Sequence, residues 1–358
     1  MRVLIATDAW LPQVNGVVRT YEKLEEVLAR LGVEVDFLAP GEFRTLPCPT
    51  YPEIRLALPG FRRVADRLAK SRPDAIHIAT EGPIGLMVRA WCLKRRIAFT
   101  TSFHTRFGEY LNARFGVPTR AVYALQRRFH NAGAGMMVAS GTLREELSRH
   151  GFKRQLAWSR GVDTELFRPR KVRLFGEGPV FIYVGRVAVE KNIEAFLQLE
   201  LPGRKVVVGD GPLLGVLKVR YPGVHFTGKK FGEALAECYA SGDVFVFPSR
   251  TDTLGIVLLE AMASGLPVAA FPVVGPLDTV VDGVTGILDE DLRGACLGAL
   301  KLDGGPVRAH AETFSWEATA RLFVSHIETA LFAAQGRRLP YGGAGKVEGS
   351  PRANSSER

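Results

Sequence analysis

The sequence predicts an α/β protein built from two doubly wound, Rossmann-like domains, each a parallel sheet covered by helices. Strand-type and helix-type segments alternate through both halves of the chain, which is the pattern of parallel strands joined by crossover helices. A length of 358 residues is too great for one ordinary domain and comfortable for two. A short basic segment with Gly and Pro, residues 168–178, separates the two series and is the expected linker.

The elements follow from the apolar pattern, taken in chain order. In the first half, strands are expected at residues 3–7, 33–38, 75–78, 98–102 and 135–139. Helical patterns lie between them, at residues 17–31, 61–70, 84–95, 118–131 and 141–149. In the second half, strands are expected at residues 180–184, 205–208, 224–227, 244–247 and 267–271. We therefore predict two domains, a terminal helix and a disordered tail rich in Gly, Pro and Ser, over residues 1–168, 169–313, 314–334 and 335–358.

The composition, 46% hydrophobic and 23% charged residues, is that of a globular protein. No apolar run reaches the ~18 residues that cross a bilayer. The widely spaced cysteines exclude a Cys-x-x-Cys metal or redox motif and indicate thiols in a reducing compartment; they are Cys48, Cys92, Cys238 and Cys296. We therefore expect a cytoplasmic protein.

The positive charge is concentrated in the first half of the chain. Residues 1–168 hold 26 Lys and Arg against 16 Asp and Glu, whereas residues 169–334 hold 16 against 19. This asymmetry predicts an anionic partner. The helix at 61–70 carries an apolar stripe among four cations, Arg62, Arg63, Arg67 and Lys70. Such a helix can lie on an anionic membrane, each cation contributing about 1 kcal/mol, although a solvated basic face is the alternative.

The most informative segment is residues 249–265, where a strand leads through a polar loop into a helix. A helix start beside a Gly-containing turn binds anions, because its free N–H groups and the helix dipole face the crevice. Asp252 in the loop and Glu260 in the helix suit the recognition of sugar and ribose hydroxyls. The alternative is an ordinary strand–loop–helix unit with a solvated Asp and a surface Glu.

Other residues with chemical potential also follow strands. Arg186 and Lys191 come after the strand at 180–184, and two cations there suit a pyrophosphate leaving group. Asp8 ends the first strand, where Rossmann-type ligands bind, and is a candidate for the acceptor side of the site. Asn15 and Gly16 open the first helix, and Gly16 lets the backbone approach a ligand closely.

Six segments together resemble the retaining glycosyltransferases of family 4, closest to the bacterial lipid branch that contains GDP-mannose-dependent α-mannosyltransferases. They are DAWLPQVNGVVRT at 8–20, SFHT at 102–105, GVDTELFRP at 161–169, GRVAVEKN at 185–192, VGDGP at 208–212 and the carboxylate motif at 252–260. Their order and spacing match along most of the chain. The resemblance implies a GT-B fold, in which two Rossmann-like domains face an interdomain cleft and the terminal helix crosses back onto the first domain.

The resemblance also implies an activity, namely transfer of a hexosyl unit, with retention, from GDP-mannose or a UDP-hexose to an acceptor hydroxyl, with a membrane lipid favoured. The implied catalytic residues are His104, Arg186, Lys191 and Asp252. The implied donor-binding residues are Gly16, Gly228, Lys230, Leu254, Gly255, Ile256, Val257 and Glu260. The acceptor side would include Asp8 and Asn15. The protein would then be peripheral on the inner face of the cytoplasmic membrane.

The sequence departs from the family pattern at two positions, since the family usually has Glu where this chain has Asp252 and often Phe where it has Leu254. No metal or other cofactor is expected, because cationic side chains take the place of an ion at the diphosphate. We interpret the one D-x-D segment, residues 289–291, as a solvated loop and not as a metal site.

Other function classes fit the sequence less well. A nicotinamide-dependent oxidoreductase would carry G-x-G-x-x-G after its first strand, which this chain does not. A nucleic-acid-binding module would interleave its cations with stacking aromatic residues, so no nucleic-acid partner is expected. A non-catalytic sugar-nucleotide-binding protein, with Asp252 as the degenerate residue, stays open.

Overall fold

The computed structural model describes residues 1–13, 15–48 and 51–333. The two predicted α/β units are present, each centred on a six-stranded parallel sheet. The predicted disordered tail, residues 335–358, lies outside the described residues, as does the last residue of the predicted terminal helix. The prediction of two Rossmann-like domains is confirmed.

The first unit contains a parallel sheet, a hairpin and six helices. Its strands are β1 (Arg2–Ala6), β2 (Glu34–Leu38), β3 (Thr45–Cys48), β4 (Tyr51–Ala57), β5 (Ala75–Ile78), β6 (Thr100–Phe103), β7 (Gly135–Val138) and β8 (Gln155–Ala157). Its helices are α1 (Gly16–Arg30), α2 (Phe61–Ser71), α3 (Pro83–Arg95), α4 (Phe107–Phe115), α5 (Thr119–His130) and α6 (Gly141–Arg149). The sheet has the order β2-β1-β5-β6-β7-β8 with all neighbours parallel.

The features of this unit that were not predicted are the edge strand β8, the hairpin β3–β4 and helix α4. The strands β3 and β4 form a separate antiparallel hairpin, and Pro47 within β3 weakens the strand signal. Helix α4 begins without a side-chain cap at Arg106, so the usual start signal is missing.

The second unit alternates strands and helices throughout. Its strands are β9 (Val180–Val184), β10 (Arg204–Val208), β11 (His225–Gly228), β12 (Val244–Phe247), β13 (Val268–Ala270) and β14 (Gly286–Leu288). Its helices are α7 (Glu194–Leu197), α8 (Leu214–Arg220), α9 (Gly232–Ala240), α10 (Ile256–Ala263), α11 (Pro276–Thr279), α12 (Leu292–Ala299) and α13 (Gly304–Ala311). The sheet order is β11-β10-β9-β12-β13-β14. Strand β14, which was not among the predicted strands, pairs with β13. Residues 289–291 after it are exposed and lie outside strands and helices, so the interpretation of this segment as a solvated loop is confirmed.

The cores follow from strands buried on both faces. Every residue of β9 and β12 is buried, as expected when helices cover both sides of a parallel sheet. Val162 and Phe167, which the sequence places at the end of the first domain, pack in the core of the second. Cys92, Cys238 and Cys296 are buried free thiols, and the side chain of Cys48 lies outside the described set.

The terminal helix α14 (Trp316–Ala333) packs on the first unit. Its Phe323 and Ile327 are buried in a cluster with Tyr21 and Trp158, and the Trp158 indole donates to the carbonyl of Thr319 over 3.0 Å. The chain thus returns to the first domain after completing the second. No helix within the described residues is long and apolar enough to span a membrane.

The contribution of α14 to stability is testable with a matched pair of variants. Phe323 is fully buried, whereas Phe332 on the same helix is 67% exposed. We expect Phe323→Ala to lower the free energy of unfolding by about 3–5 kcal/mol, the usual cost of truncating a buried Phe. Phe332→Ala should stay within about 0.5 kcal/mol of the parent. Denaturant unfolding of both variants measures this, and equal losses would contradict the docking of α14.

Candidate active site

The candidate site lies where the strand order of the second sheet reverses. From β9 the chain proceeds outward to β10 and β11, and it then returns to add β12 on the other side of β9. In open α/β sheets, ligands bind at this switch point, outside the carboxyl ends of the strands. The loops after β9 and β12 carry Arg186, Lys191 and Asp252.

Two hydrogen bonds tie these loops together. The side-chain amide of Asn192 donates to the carbonyl of Pro248 over 3.1 Å, and the Thr251 hydroxyl donates to the carbonyl of Glu190 over 3.0 Å. Each bond links a residue next to Lys191 with a residue of the loop that carries Asp252. The relative position of the cation and the carboxylate is therefore fixed by the backbone.

Lys191 and Asp252 form a largely buried ion pair. The ammonium of Lys191 donates to Asp252 Oδ1 over 2.5 Å, and the side chains are only 20% and 16% exposed. Burial alone would lower the pKa of Lys191, but the attraction of Asp252 and nearby tyrosines outweighs it and raises the pKa. The cation therefore stays charged at neutral pH in a region with little water.

The Asp252 carboxylate can accept further hydrogen bonds. Its Oδ2 is buried and has no hydrogen-bond partner among the described residues, and the same holds for the hydroxyl of Ser249 in the same loop. A buried oxygen without a donor costs free energy. Two such oxygens in one loop, beside a buried cation, indicate a site that a ligand with hydroxyl groups would complete.

Arg186 follows the end of β9, where the backbone is held tightly. Its carbonyl accepts a hydrogen bond of 2.7 Å from the buried Tyr183 hydroxyl. The structure explains the first glycine of the VGDGP segment, because a Cβ at Gly209 would lie 1.8 Å from the carbonyl oxygen of Gly185. The close approach of the two loops thus requires glycine and sets where the Arg186 side chain starts.

Helix α10 begins with the features of an anion site. Its N-cap, Gly255, has φ +81° and supplies no side-chain cap, so the N–H groups of Ile256 and Val257 are left to other partners. Leu254 before it is buried. The predicted donor-binding run at residues 254–257 therefore forms one helix start at the mouth of the cleft.

Glu260, one turn further along α10, is buried and bonded from both domains. Its Oε1 accepts from Arg19 of α1 over 3.2 Å, and its Oε2 accepts from the Tyr239 hydroxyl over 2.9 Å. Burial raises the pKa of Glu260, while Arg19 and Tyr239 act in the opposite direction. The interpretation of this residue as a surface Glu is therefore excluded.

The predicted donor-binding residues Gly228 and Lys230 lie at the end of β11 and in the loop after it. The carbonyl of Gly228 accepts from the Gly209 amide over 3.0 Å, and Lys230 is exposed. The next residue, Phe231, is an exposed aromatic whose ring lies 5.9 Å from the Arg19 guanidinium.

His104 lies at the end of β6 inside a polar network. Arg160 donates to its Nδ1 over 2.9 Å, and its Nε2 is 2.9 Å from the Tyr21 hydroxyl. Because Arg only donates, the neutral ring carries its proton on Nε2. Burial, followed by the charge of Arg160, lowers the pKa of His104 well below its usual value. A contact of this ring with a donor sugar stays a prediction.

The other two predicted site residues of the first domain, Asp8 and Asn15, accept hydrogen bonds from the first turns of helices. Both Asp8 carboxylate oxygens accept backbone N–H groups of α3, from Ile84 over 2.8 Å and Gly85 over 3.2 Å. The Asn15 side chain caps α1 by accepting from the amides of Val17 and Val18. These two amides, which follow Gly16, are thus bonded within the chain, and an acceptor contact for Asp8 or Asn15 stays a prediction.

Polar contacts close the cleft between the domains. The Thr253 hydroxyl donates to the carbonyl of His104 over 3.1 Å, and Asp278 accepts from the Thr142 amide over 2.9 Å. With the Arg19–Glu260 pair, these contacts involve residues that the sequence analysis missed. Arg19 and Thr253 carried a signal, because they lie within the quoted segments 8–20 and 252–260. Arg19 lies one helical turn after Asn15.

The acidic segment 289–291 is accounted for within the chain. Asp291 caps α12 by accepting from the Arg293 amide, and Glu290 pairs with Arg250 at 2.6 Å. Within the described residues, no group of three or more His, Cys, Asp or Glu side chains could hold a metal ion. Independence from a metal stays a prediction.

The basic helix α2 divides into two groups of cations. The Arg67 guanidinium is bound by Asp36 at 2.5 Å and by Glu42 at 2.8 Å. These two carboxylates offset its charge, and a membrane contact of Arg67 stays a prediction. The other three predicted membrane cations are exposed; they are Arg62, Arg63 and Lys70. Exposed leucines of the neighbouring hairpin, Leu46 and Leu56, lie in the same unit.

Comparisons with known proteins agree with this geometry. The family model described as Glycosyltransferase Family 4 matches residues 14–166, and Glycosyl transferases group 1 matches residues 178–297. The chain is 32% identical over 317 residues to the GDP-mannose-dependent alpha-mannosyltransferase of Mycobacterium tuberculosis, covering 80% of this chain and 83% of that protein. It is 33% identical over 312 residues to the Sulfoquinovosyl transferase SQD2 of Arabidopsis thaliana, covering 78% of this chain but only 60% of that longer protein.

A solved structure shows the same architecture. The sucrose-phosphate synthase of Thermosynechococcus elongatus superposes with a TM-score of 0.76 at 22% identity, covering 93% of this chain and 99% of that one. At that identity the likeness concerns the fold. Family models over both domains and a relative above 30% identity carry the assignment: the chain belongs to glycosyltransferase family 4 and is a glycosyltransferase of the GT-B fold.

Proposed function

We propose that the protein transfers a hexosyl unit from a nucleoside-diphosphate sugar to a lipid hydroxyl at a membrane surface, with retention of the anomeric configuration. The observation that carries the proposal is the buried Lys191–Asp252 pair, whose second carboxylate oxygen lacks a partner among the described residues. A cation next to a hydrogen-bond acceptor suits a nucleoside-diphosphate sugar, because that substrate joins a charged diphosphate to a sugar with hydroxyl groups.

In this proposal the bond between the anomeric carbon and the leaving phosphate oxygen breaks as the acceptor oxygen bonds to the same carbon on the same face. The acceptor proton passes to the departing phosphate oxygen, so no separate base is needed. Arg186, Lys191 and the amides at the start of α10 stabilise the charge that grows on the diphosphate. Fixed cations and dipoles of this kind supply a large share of catalysis because they need no reorganisation.

The side chains then divide the donor between them. Asp252 accepts from sugar hydroxyls through its free Oδ2, and Glu260 accepts from ribose hydroxyls. The base lies against the loop at 228–231. GDP-mannose is the donor we favour, because the mannosyltransferase of M. tuberculosis is similar along most of both chains. A lipid acceptor is favoured by the exposed cations of α2 beside the exposed hairpin leucines.

The catalytic assignment is tested by removing one cation at a time. We expect Arg186→Ala and Lys191→Ala each to lower kcat by about 10²–10³, the usual loss when a donor to a developing anion is removed. Arg250→Ala is the matched control, because Arg250 shares the loop of Asp252 but pairs with Glu290 at the surface. Release of GDP from GDP-mannose with lipid vesicles measures the rate. Unchanged turnover in folded variants would favour the non-catalytic binding protein.

The nucleotide preference is tested by thermal shift. A ligand that binds only the folded state raises the melting temperature in proportion to the logarithm of its concentration over Kd. We expect GDP to raise it more than UDP, ADP or CDP at equal concentration, and NAD to leave it unchanged. A larger shift with UDP would overturn GDP-mannose as the donor, and a shift with NAD would favour the oxidoreductase.

Membrane docking is tested by flotation with vesicles of phosphatidylcholine and phosphatidylglycerol. Replacing Arg62, Arg63 and Lys70 by Gln should weaken binding roughly a hundredfold, at about 1 kcal/mol for each cation. The matched control replaces three exposed lysines of the second half, Lys171, Lys218 and Lys301, and should bind as the parent does. Docking through α2 would be contradicted if vesicle binding did not depend on the salt concentration, or if both variants lost the same affinity.

A further inference from the structure

Arg19 is the cation that crosses the cleft from the first domain to the second. It belongs to the first turn of α1, and its guanidinium donates to Glu260 Oε1 of α10 over 3.2 Å. The same guanidinium lies 5.9 Å from the centre of the exposed Phe231 ring, just before α9. One side chain of the first domain therefore contacts the carboxylate and the loop that the proposed function gives to the nucleotide.

We propose that Arg19 is a donor-binding residue, which bonds the ribose and the phosphate next to it and so closes the first domain onto the bound nucleotide. This inference rests on the proposed function, because that function places the ribose hydroxyls on Glu260.

The geometry of Glu260 brings the two groups together. Its Oε2 is used by Tyr239, and its Oε1 is the oxygen that Arg19 shares. A ribose hydroxyl that donates to Oε1 becomes a neighbour of the same guanidinium, because both groups then bond one oxygen atom. An Arg has five N–H donors in a planar fork. Among the described residues, the Arg19 guanidinium donates a hydrogen bond to Glu260. The other donors can bond a ribose or phosphate oxygen.

The different exposures of Arg19 and Glu260 indicate that Arg19 does more than neutralise the charge of Glu260. The side chain of Glu260 is 5% exposed, whereas that of Arg19 is 29% exposed. The guanidinium therefore lies at the boundary between the buried carboxylate and the cleft. A charged donor in this position binds a phosphate oxygen strongly, because both groups are ionised and partly withdrawn from water.

Lys23 provides a matched control on the same helix. It lies one turn further along α1 and pairs with Asp163 at 3.2 Å and with Glu26 at 2.8 Å. Two carboxylates already face this ammonium, and Asp163 adjoins Val162 of the second core. Lys23→Ala therefore removes a cation from α1 without touching Glu260 or Phe231.

The experiment measures the affinity of GDP, GMP and pyrophosphate by calorimetry for the parent, Arg19→Ala, Arg19→Lys and Lys23→Ala, with UDP and UMP in parallel. We expect Arg19→Ala to raise the Kd of the diphosphate and the monophosphate at least about tenfold, the worth of one hydrogen bond to a charged group. Pyrophosphate lacks the ribose and should lose less affinity than GDP or GMP, Arg19→Lys should recover part of the loss, and Lys23→Ala should bind as the parent does.

The outcomes are separable. If the parent binds neither GDP nor UDP, the proposed function fails and this inference fails with it. If the parent binds but Arg19→Ala keeps the parental Kd, even with a lower melting temperature, Arg19 only stabilises the fold and this inference alone is overturned. Equal losses in Arg19→Ala and Lys23→Ala would also overturn it. Should Arg19→Ala not fold, Arg19→Gln keeps a donor for Glu260, and the same loss of affinity is expected from it.

Discussion

The buried pair of Lys191 and Asp252 is the interaction on which the rest of the site depends. Removing two charges from water is costly, and their attraction repays the cost only when good geometry and further hydrogen bonds satisfy both groups. Here the geometry is good, because β9 and β12 are neighbours and their loops are bonded to each other. The hydrogen bonds are incomplete, since one carboxylate oxygen lacks a donor within the described chain. Such an arrangement gives up stability in the free protein in order to hold a cation and an acceptor ready for a ligand.

The contacts between the domains have a different character from the cores. Each core is closed by apolar side chains, whereas the contacts between the domains are mixed. Among the described residues, polar contacts include Arg19 to Glu260, Thr253 to His104 and Thr142 to Asp278, and Ile256 and Val274 of the second unit pack on apolar clusters of the first. A hydrogen bond that exchanges with water is worth only about 0.5–1.5 kcal/mol net. A charged ligand that bonds both domains would favour the form in which these contacts are made. The helix α14, by contrast, fixes the connection through buried aromatic rings.

Most strands of the fold could be predicted from the sequence, because parallel strands that are buried on both faces are continuous apolar segments. The hairpin β3–β4 and helix α4 left no such signal, since Pro47 interrupts one and no cap begins the other. At the site, the loops holding Arg186, Lys191 and Asp252 could be located from sequence, because a residue that follows a parallel strand lies at the carboxyl edge of the sheet. The partners of those residues could not be predicted. That Arg160 fixes the His104 ring, or that Asp36 and Glu42 neutralise Arg67, depends on distant segments that only the folded chain brings together.

The Asp at position 252 is one of the two departures from the family pattern, which usually has Glu there. A Glu would extend the carboxylate by one carbon–carbon bond, about 1.5 Å, into the space where we place the sugar. The shorter Asp instead draws the Lys191 ammonium to it at 2.5 Å, so that cation and carboxylate occupy one compact position. Its second oxygen stays buried and without a donor in the described chain. A degenerate residue in a binding protein would have no reason to keep both a charge partner and an unsatisfied acceptor, whereas an enzyme that must hold a sugar hydroxyl beside a departing phosphate needs both.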